Sequence, residues 1–220
     1  MNELTFILHS AFIGSSVLFA LYLGKEALIA FICLQGVLAN LFVTKQITLL
    51  GLTATGADAF IIGSILGLNL LQEYFGPTYT KKAIIISFFT LIFYTIASQI
   101  HLIYIPSIHD FAHPHFMALL SLMPRIAIAS IVVYVSVLFI ERWLYGILKT
   151  AFNSKHLIVR NLISIGVTQL IDTVLFSFLG LYGIVSNIGH IIIISYCIKI
   201  VSLLLSTPFL AFSHRFAPKK

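Results

Sequence analysis

Long unbroken apolar runs, each about the length needed to cross a bilayer, recur along this chain with short polar gaps between them. A membrane-spanning helix needs about 20 predominantly apolar residues at about 1.5 Å each. Seven segments meet that requirement: 4–24, 27–45, 56–75, 83–105, 125–141, 161–184 and 189–212. Within them the apolar residues are continuous rather than alternating, which excludes a membrane barrel. The pattern therefore predicts an all-α, polytopic transmembrane helical bundle. Residues 1–25 are expected as an appended N-terminal helix and 26–220 as a six-helix core. Two stretches break the pattern. Residues 47–57 are Thr- and Gly-rich and predict an irregular entry to the third span. Residues 106–124, with Pro106, Asp110 and Pro114, predict a loop; its His109, His113 and His115 lack the rigid scaffold of a metal site.

Composition narrows the solvent. Of 220 residues 60% are hydrophobic and 9% charged, and the mean hydropathy is +1.07. A soluble domain carries about 25% charged residues, so only lipid suits so apolar an exterior. The net charge of +6 does not point to nucleic acid, because the basic residues sit in the gaps between spans. There they act as topology signals. Lys81 and Lys82, then Arg142, Lys149, Lys155 and Arg160, then Arg215, Lys219 and Lys220 mark three cytoplasmic segments, and the C-terminus is expected on the cytoplasmic side of an inner or plasma membrane. Cys33 and Cys197 lie within apolar runs and suggest neither a metal site nor a disulfide. No basic residue precedes the first apolar stretch, so a removable signal peptide is not expected.

Charge inside a span costs about 2.5–3.5 kcal/mol on insertion scales, so each such group calls for a reason. The candidates are Asp58, Glu73, Arg125, Glu141, Asp172 and Lys199. Asp172 and Lys199 both fall about 15–17 Å into their spans, which predicts an ion pair at the midplane. Each heads a polar stripe at helical spacing: Asn161, Ser164, Thr168 and Asp172 with Gln169 alongside, and Ser195, Lys199, Ser202 and Ser206. Positions three and four apart share a helix face, so the two stripes are expected to line a polar cavity. In the third span Asp58, Asn69 and Glu73 share a face, with Asp58 near the outer surface and within reach of Arg125. Asp58 and Thr168 are expected as gating or structural groups. Such stripes also serve as interhelical glue at about 0.6 kcal/mol per hydrogen bond; midplane charge is the feature that packing alone seldom requires.

Four ordered segments over about 56–210 resemble the VUT family of queuosine-precursor transporters. They are Asn69-Leu-Leu-Gln-Glu73-Tyr74-Phe75-Gly76 with Lys81 and Lys82; Arg125-Ile126-Ala127-Ile128-Ala129-Ser130 with Tyr134; Arg160-Asn161, Gln169-Leu170-Ile171-Asp172-Thr173 and Phe176; and Tyr196, Lys199, Thr207 and Pro208. Asn69 stands where the family usually has Asp, Glu141 where Asp is common, and Ser206 where an acid often precedes Thr-Pro. The resemblance implies import of a 7-deazaguanine: preQ0, preQ1 or queuine. It implies substrate-binding roles for Asn69, Glu73, Arg125, Asn161, Gln169, Asp172, Tyr196 and Lys199. A guanine-like edge offers N1–H and a 2-amino group to a carboxylate, while its O6 needs a donor; Tyr196 or Phe176 can stack on the ring.

Other classes fit less well. The sequence holds no GxSxG, HExxH or GxxxxGK[ST], so neither an enzyme nor an ATP site is expected. No cofactor is called for. The expected partners are a small-molecule substrate and the lipid bilayer, with no nucleic acid; a homo-oligomer, a partner ATPase or a non-transporting scaffold role stays open.

Overall fold

The computed structural model describes residues 1–151 and 157–216. In chain order it contains α1 (Asn2–Leu23), α2 (Lys25–Phe42), a hairpin of β1 (Gln46–Leu49) and β2 (Leu52–Thr55), α3 (Asp58–Phe75), α4 (Pro77–Ile103), α5 (His113–Leu120), α6 (Met123–Ala151), α7 (Leu157–Phe176) continued by a π-helical turn Ser177–Leu181, and α8 (Ile188–Ser213). Six segments of the described residues are long and apolar enough to cross a membrane: α1, α2, α4, His113–Leu148, Ile163–Leu181 and Ile188–Leu205. The chain is a polytopic helical membrane protein.

The expected third span corrects the count of seven. It forms α3, 18 residues long, but Asp58, Asn69, Gln72 and Glu73 dilute its hydropathy and leave it outside those six. It needs no lipid-facing surface of its own. α3 packs against α1, α2, α4 and α8, and buries Ala59, Phe60, Gly63, Leu66, Gly67, Leu70 and Leu71.

Tight reversals hold these helices together. Gly24 (φ 111) alone separates α1 from α2, and Gly76 (φ 89) alone separates α3 from α4. Both take the left-handed backbone that a side chain resists, and each donates its N–H to a carbonyl of the helix it ends. Pro77 then opens α4, where its missing N–H costs nothing. Beside these turns Lys25 Nζ donates to the Tyr79 hydroxyl at 3.1 Å, tying α2 to α4. α1, α2 and α3 form one wedge whose centre is Ile13, Val17, Leu21, Leu28, Ile32, Leu70 and Leu71. Two glycines set its tightness. A Cβ on Gly63 would stand 2.4 Å from Ile13, and one on Gly67 2.8 Å from Ile32. Small residues that let helices approach closely are the usual device of membrane packing.

Residues 47–57 are more ordered than expected. They contribute to an antiparallel hairpin with Gln46 opposite Thr55 and Leu49 opposite Leu52. Its turn residues Leu50 (φ 51) and Gly51 (φ 79) both have positive φ, as a two-residue hairpin turn of the right twist requires. Leu49 and Ala54 bury against Ile194 of α8. The hairpin is then stitched to its neighbours. Asn2 donates to the Thr48 carbonyl at 3.0 Å, the Leu50 N–H to Glu3 at 3.1 Å, and the Ser186 hydroxyl to Gln46 at 2.6 Å. The expected loop at 106–124 also contains structure: Asp110 accepts the N–H groups of Ala112 and His113, and α5 starts there.

Candidate functional site

The two polar stripes meet. Ser164, Thr168 and Thr173 on α7 and Ser195, Lys199 and Ser202 on α8 are all buried. Most of the hydroxyls bond to their own helices, which settles them without crossing the interface. Thr168 donates to the Ser164 carbonyl at 2.9 Å, Thr173 to that of Gln169 at 2.8 Å and Ser202 to that of Ile198 at 2.7 Å. The interhelical bonds come from α8. Lys199 Nζ donates to Asp172 Oδ2 and, at 3.1 Å, to Thr173 Oγ1. Tyr196 donates its hydroxyl to the Gly166 carbonyl at 3.2 Å. The lysine is 7% exposed, whereas the Asp172 side chain is 28% exposed. One member of the pair is therefore sealed and the other is open on one side. An ion pair of this kind is strongly sensitive to loss of either partner, because the survivor keeps its desolvation penalty.

Asp58 joins the same neighbourhood, against expectation. It begins α3, is 1% exposed, and its Oδ2 accepts the N–H and the hydroxyl of Thr55, each at 3.3 Å. Ser195 and Lys199 of α8 face it closely enough to act on its charge. The hairpin is the reason: it occupies the level of the first turns of α8, so α3 starts at that depth rather than at the surface. Arg125 does not meet Asp58. Its Nε and Nη2 donate to the carbonyls of Leu179 and Tyr182 at 3.0 and 2.7 Å, closing the end of the π-helical turn.

Asn69 and Glu73 lie elsewhere. The Tyr74 hydroxyl meets Ser213 Oγ at 2.8 Å. Ser213 is about 21 Å along α8 from Lys199 at the helical rise. Glu73, exposed beside Tyr74, is thus at the far end of the bundle, and half-buried Asn69 is about one turn nearer. Gln169 is half-buried one turn from Asp172 and Thr173. The side chain of Asn161 lies outside the described residues.

A cavity of about 700 Å³ runs along the α1-facing side of α8 and touches the polar stripe at Ser202. Phe6, Gly14, Leu66, Cys197, Ile198 and Phe209 are among its walls, so it is apolar and does not reach Lys199. The enclosed polar chamber expected between the stripes is not this space.

Comparison with known proteins follows from this arrangement. The family described as "Putative vitamin uptake transporter" matches residues 54–213, from β2 to the end of α8, and so contains Asp58, Asp172 and Lys199 together. The chain belongs to this family. Among curated proteins, one of Bacillus subtilis (strain 168) named "Probable queuosine precursor transporter" is 31% identical over 191 residues, covering 84% of this chain and 82% of that protein. No solved structure matches. The match begins after α1 and α2, which pack against α3 without contributing to the stripes.

Two residues of the site, Thr173 and Thr55, were assigned no role from the sequence. Thr173 follows Asp172 directly, and its hydroxyl both accepts from Lys199 and donates to its own helix. Thr55 stands three residues before Asp58, the spacing of a hydroxyl and an acid that bond at a helix start. That spacing was the available signal.

Proposed function

We propose that this vitamin uptake transporter imports a 7-deazaguanine precursor of queuosine (preQ0, preQ1 or queuine) across the inner or plasma membrane, with its C-terminus in the cytoplasm. The site is the Asp172–Lys199 pair, flanked by Gln169, Thr173 and Tyr196. The observation that carries this reading is a sealed ammonium joined to a partly open carboxylate between α7 and α8. Such a pair is complementary to a guanine-like edge. The carboxylate accepts N1–H and the 2-amino group, and the ammonium donates to O6. Hydrogen bonds to charged groups contribute about 1.5–3 kcal/mol each, enough to draw a flat polar base out of water. Gln169 supplies both a donor and an acceptor nearby, and Tyr196 offers a ring to stack on. The name of the Bacillus relative supports the substrate class.

Transport then consists of exposing this site to each side in turn, by rocking α7 and α8 against the α1–α2–α3 wedge. The basic residues of the short gaps support the orientation, since such residues are retained in the cytoplasm. The test uses cells that cannot make the precursor themselves. Expression of this chain with precursor in the medium should restore queuosine to tRNA, and tRNA that stays unmodified while the chain is present in the membrane overturns the reading.

A further inference from the structure

Asp58 carries a buried oxygen with no hydrogen bond of good geometry among the described residues, and the Ser195 hydroxyl of α8 lies close enough to act on the same carboxyl group. Its Oδ2 is held by Thr55, but its Oδ1 has no hydrogen-bond partner among the described residues. The charged and titratable groups around it are otherwise engaged. On α8, Lys199 is committed to Asp172 and Thr173, and His190 accepts the Thr53 N–H at the head of the helix. On α1, His9 lies edge-on to Phe60, and Glu3 is held at the hairpin tip. On α2, Lys25 and Glu26 pair at the opposite end of the helix, where Lys25 also meets Tyr79 of α4; Lys45, beyond α2, is exposed. Lys81 and Lys82 of α4 follow the Gly76 turn, far from Asp58. Sealed Asp58 and partly open Asp172 thus share one ammonium.

Because Asp58 is sealed, a second unit of positive charge is needed whenever both acids are ionised. A metal cation suits the position poorly, because it would sit at the N-terminus of α3, where the helix dipole repels cations, and beside Lys199. A proton needs no coordination shell and fits on a single unpartnered oxygen. We propose that Asp58 is the site of a coupling proton that drives substrate uptake; this rests on the 7-deazaguanine reading above. The proton enters from the outer side and bonds to Asp58 Oδ1, neutralising it. Lys199 then stays beside Asp172, and the two present the donor and acceptor that the substrate needs. Release of that proton to the cytoplasm restores the Asp58 charge and draws Lys199 toward it. The substrate face of the site is broken up, and substrate leaves on the same side. One proton and one substrate cross together.

The experiment uses the full chain in liposomes with the membrane potential clamped by potassium and valinomycin, and radiolabelled preQ0, an uncharged probe. With the outside more acidic by about one pH unit, the wild type should accumulate preQ0 about tenfold, the ratio that one proton per substrate sustains. A protonophore should abolish the accumulation. Asp58→Asn should still exchange labelled for unlabelled preQ0 but should accumulate none. Wild-type exchange that ignores the pH gradient, or an Asp58→Asn variant that accumulates as the wild type does, overturns the proton site and leaves the uptake reading intact. Absence of exchange by the wild type overturns the uptake reading, and the proton site with it. Should Asp58→Asn fail to fold, Asp58→Glu decides: it should retain accumulation with a displaced pH dependence, and an unchanged pH dependence contradicts the proposal.

Discussion

The α1–α2–α3 wedge and the α7–α8 seam are built on opposite plans. In the wedge, Gly63 and Gly67 bring backbones so close that a single methyl group would collide with Ile13 or Ile32, and the interior is Leu, Ile, Val, Ala and Phe apart from Gln35, which is buried against Gly63. In the seam the buried residues are Thr168, Thr173 and Lys199, with partly open Asp172, and both threonine hydroxyls donate to their own helix rather than across. Close apolar packing has one best arrangement and resists sliding. Self-satisfied hydroxyls leave an interface with few commitments beyond Lys199 and Tyr196. The contrast assigns rigidity to the first three helices and change to the last two.

The largest break in that comparison should come from Lys199→Ala. Removing one partner of a pair whose lysine is this deeply sealed costs about 3–5 kcal/mol, so precursor uptake should fall by more than about a hundredfold. Uptake within about twofold of the wild type would remove the seam from the mechanism. Gly63→Val comes next and strikes the wedge. Overpacking of this kind costs about 1–3 kcal/mol, to be read as a lowered thermal midpoint in detergent, with any surviving folded protein still binding substrate. An unchanged midpoint would mean that the wedge is not tightly packed. Tyr196→Phe is the smallest: it removes one interhelical bond worth about 0.6 kcal/mol and should slow uptake by only about threefold, with the midpoint nearly unchanged. A collapse of folding on that substitution would make Tyr196 a structural tie instead.

The sequence disclosed the bundle and the ion pair for the same reason: lipid forbids both exposed backbone and unexplained charge, so apolar length and midplane charge are strong signals. The depth of Asp58 was hidden. It depends on the hairpin, whose turn is Leu50-Gly51 rather than the Asn-Gly or Asp-Gly that would announce it. Once the hairpin occupies the level of Ile194, α3 starts deep in the bundle, and a residue assigned to the surface becomes part of the site. Arg125 was misjudged differently. Its partners are the backbone carbonyls of Leu179 and Tyr182 around a π-helical turn, and no side-chain pattern reveals a carbonyl freed by a local change of helix type. Asn69 and Glu73 share a helix with Asp58 but stand too far down it, since a shared face says nothing about axial distance.

Whether the Asp172–Lys199 contact binds substrate or only fastens α7 to α8 can be decided in one measurement on the paired variant Asp172→Asn with Lys199→Gln. Two neutral amides keep a hydrogen bond across the interface while removing both charges. The account predicts a protein present in the membrane at the wild-type level that takes up no labelled precursor. Uptake at the wild-type rate by that variant would contradict it.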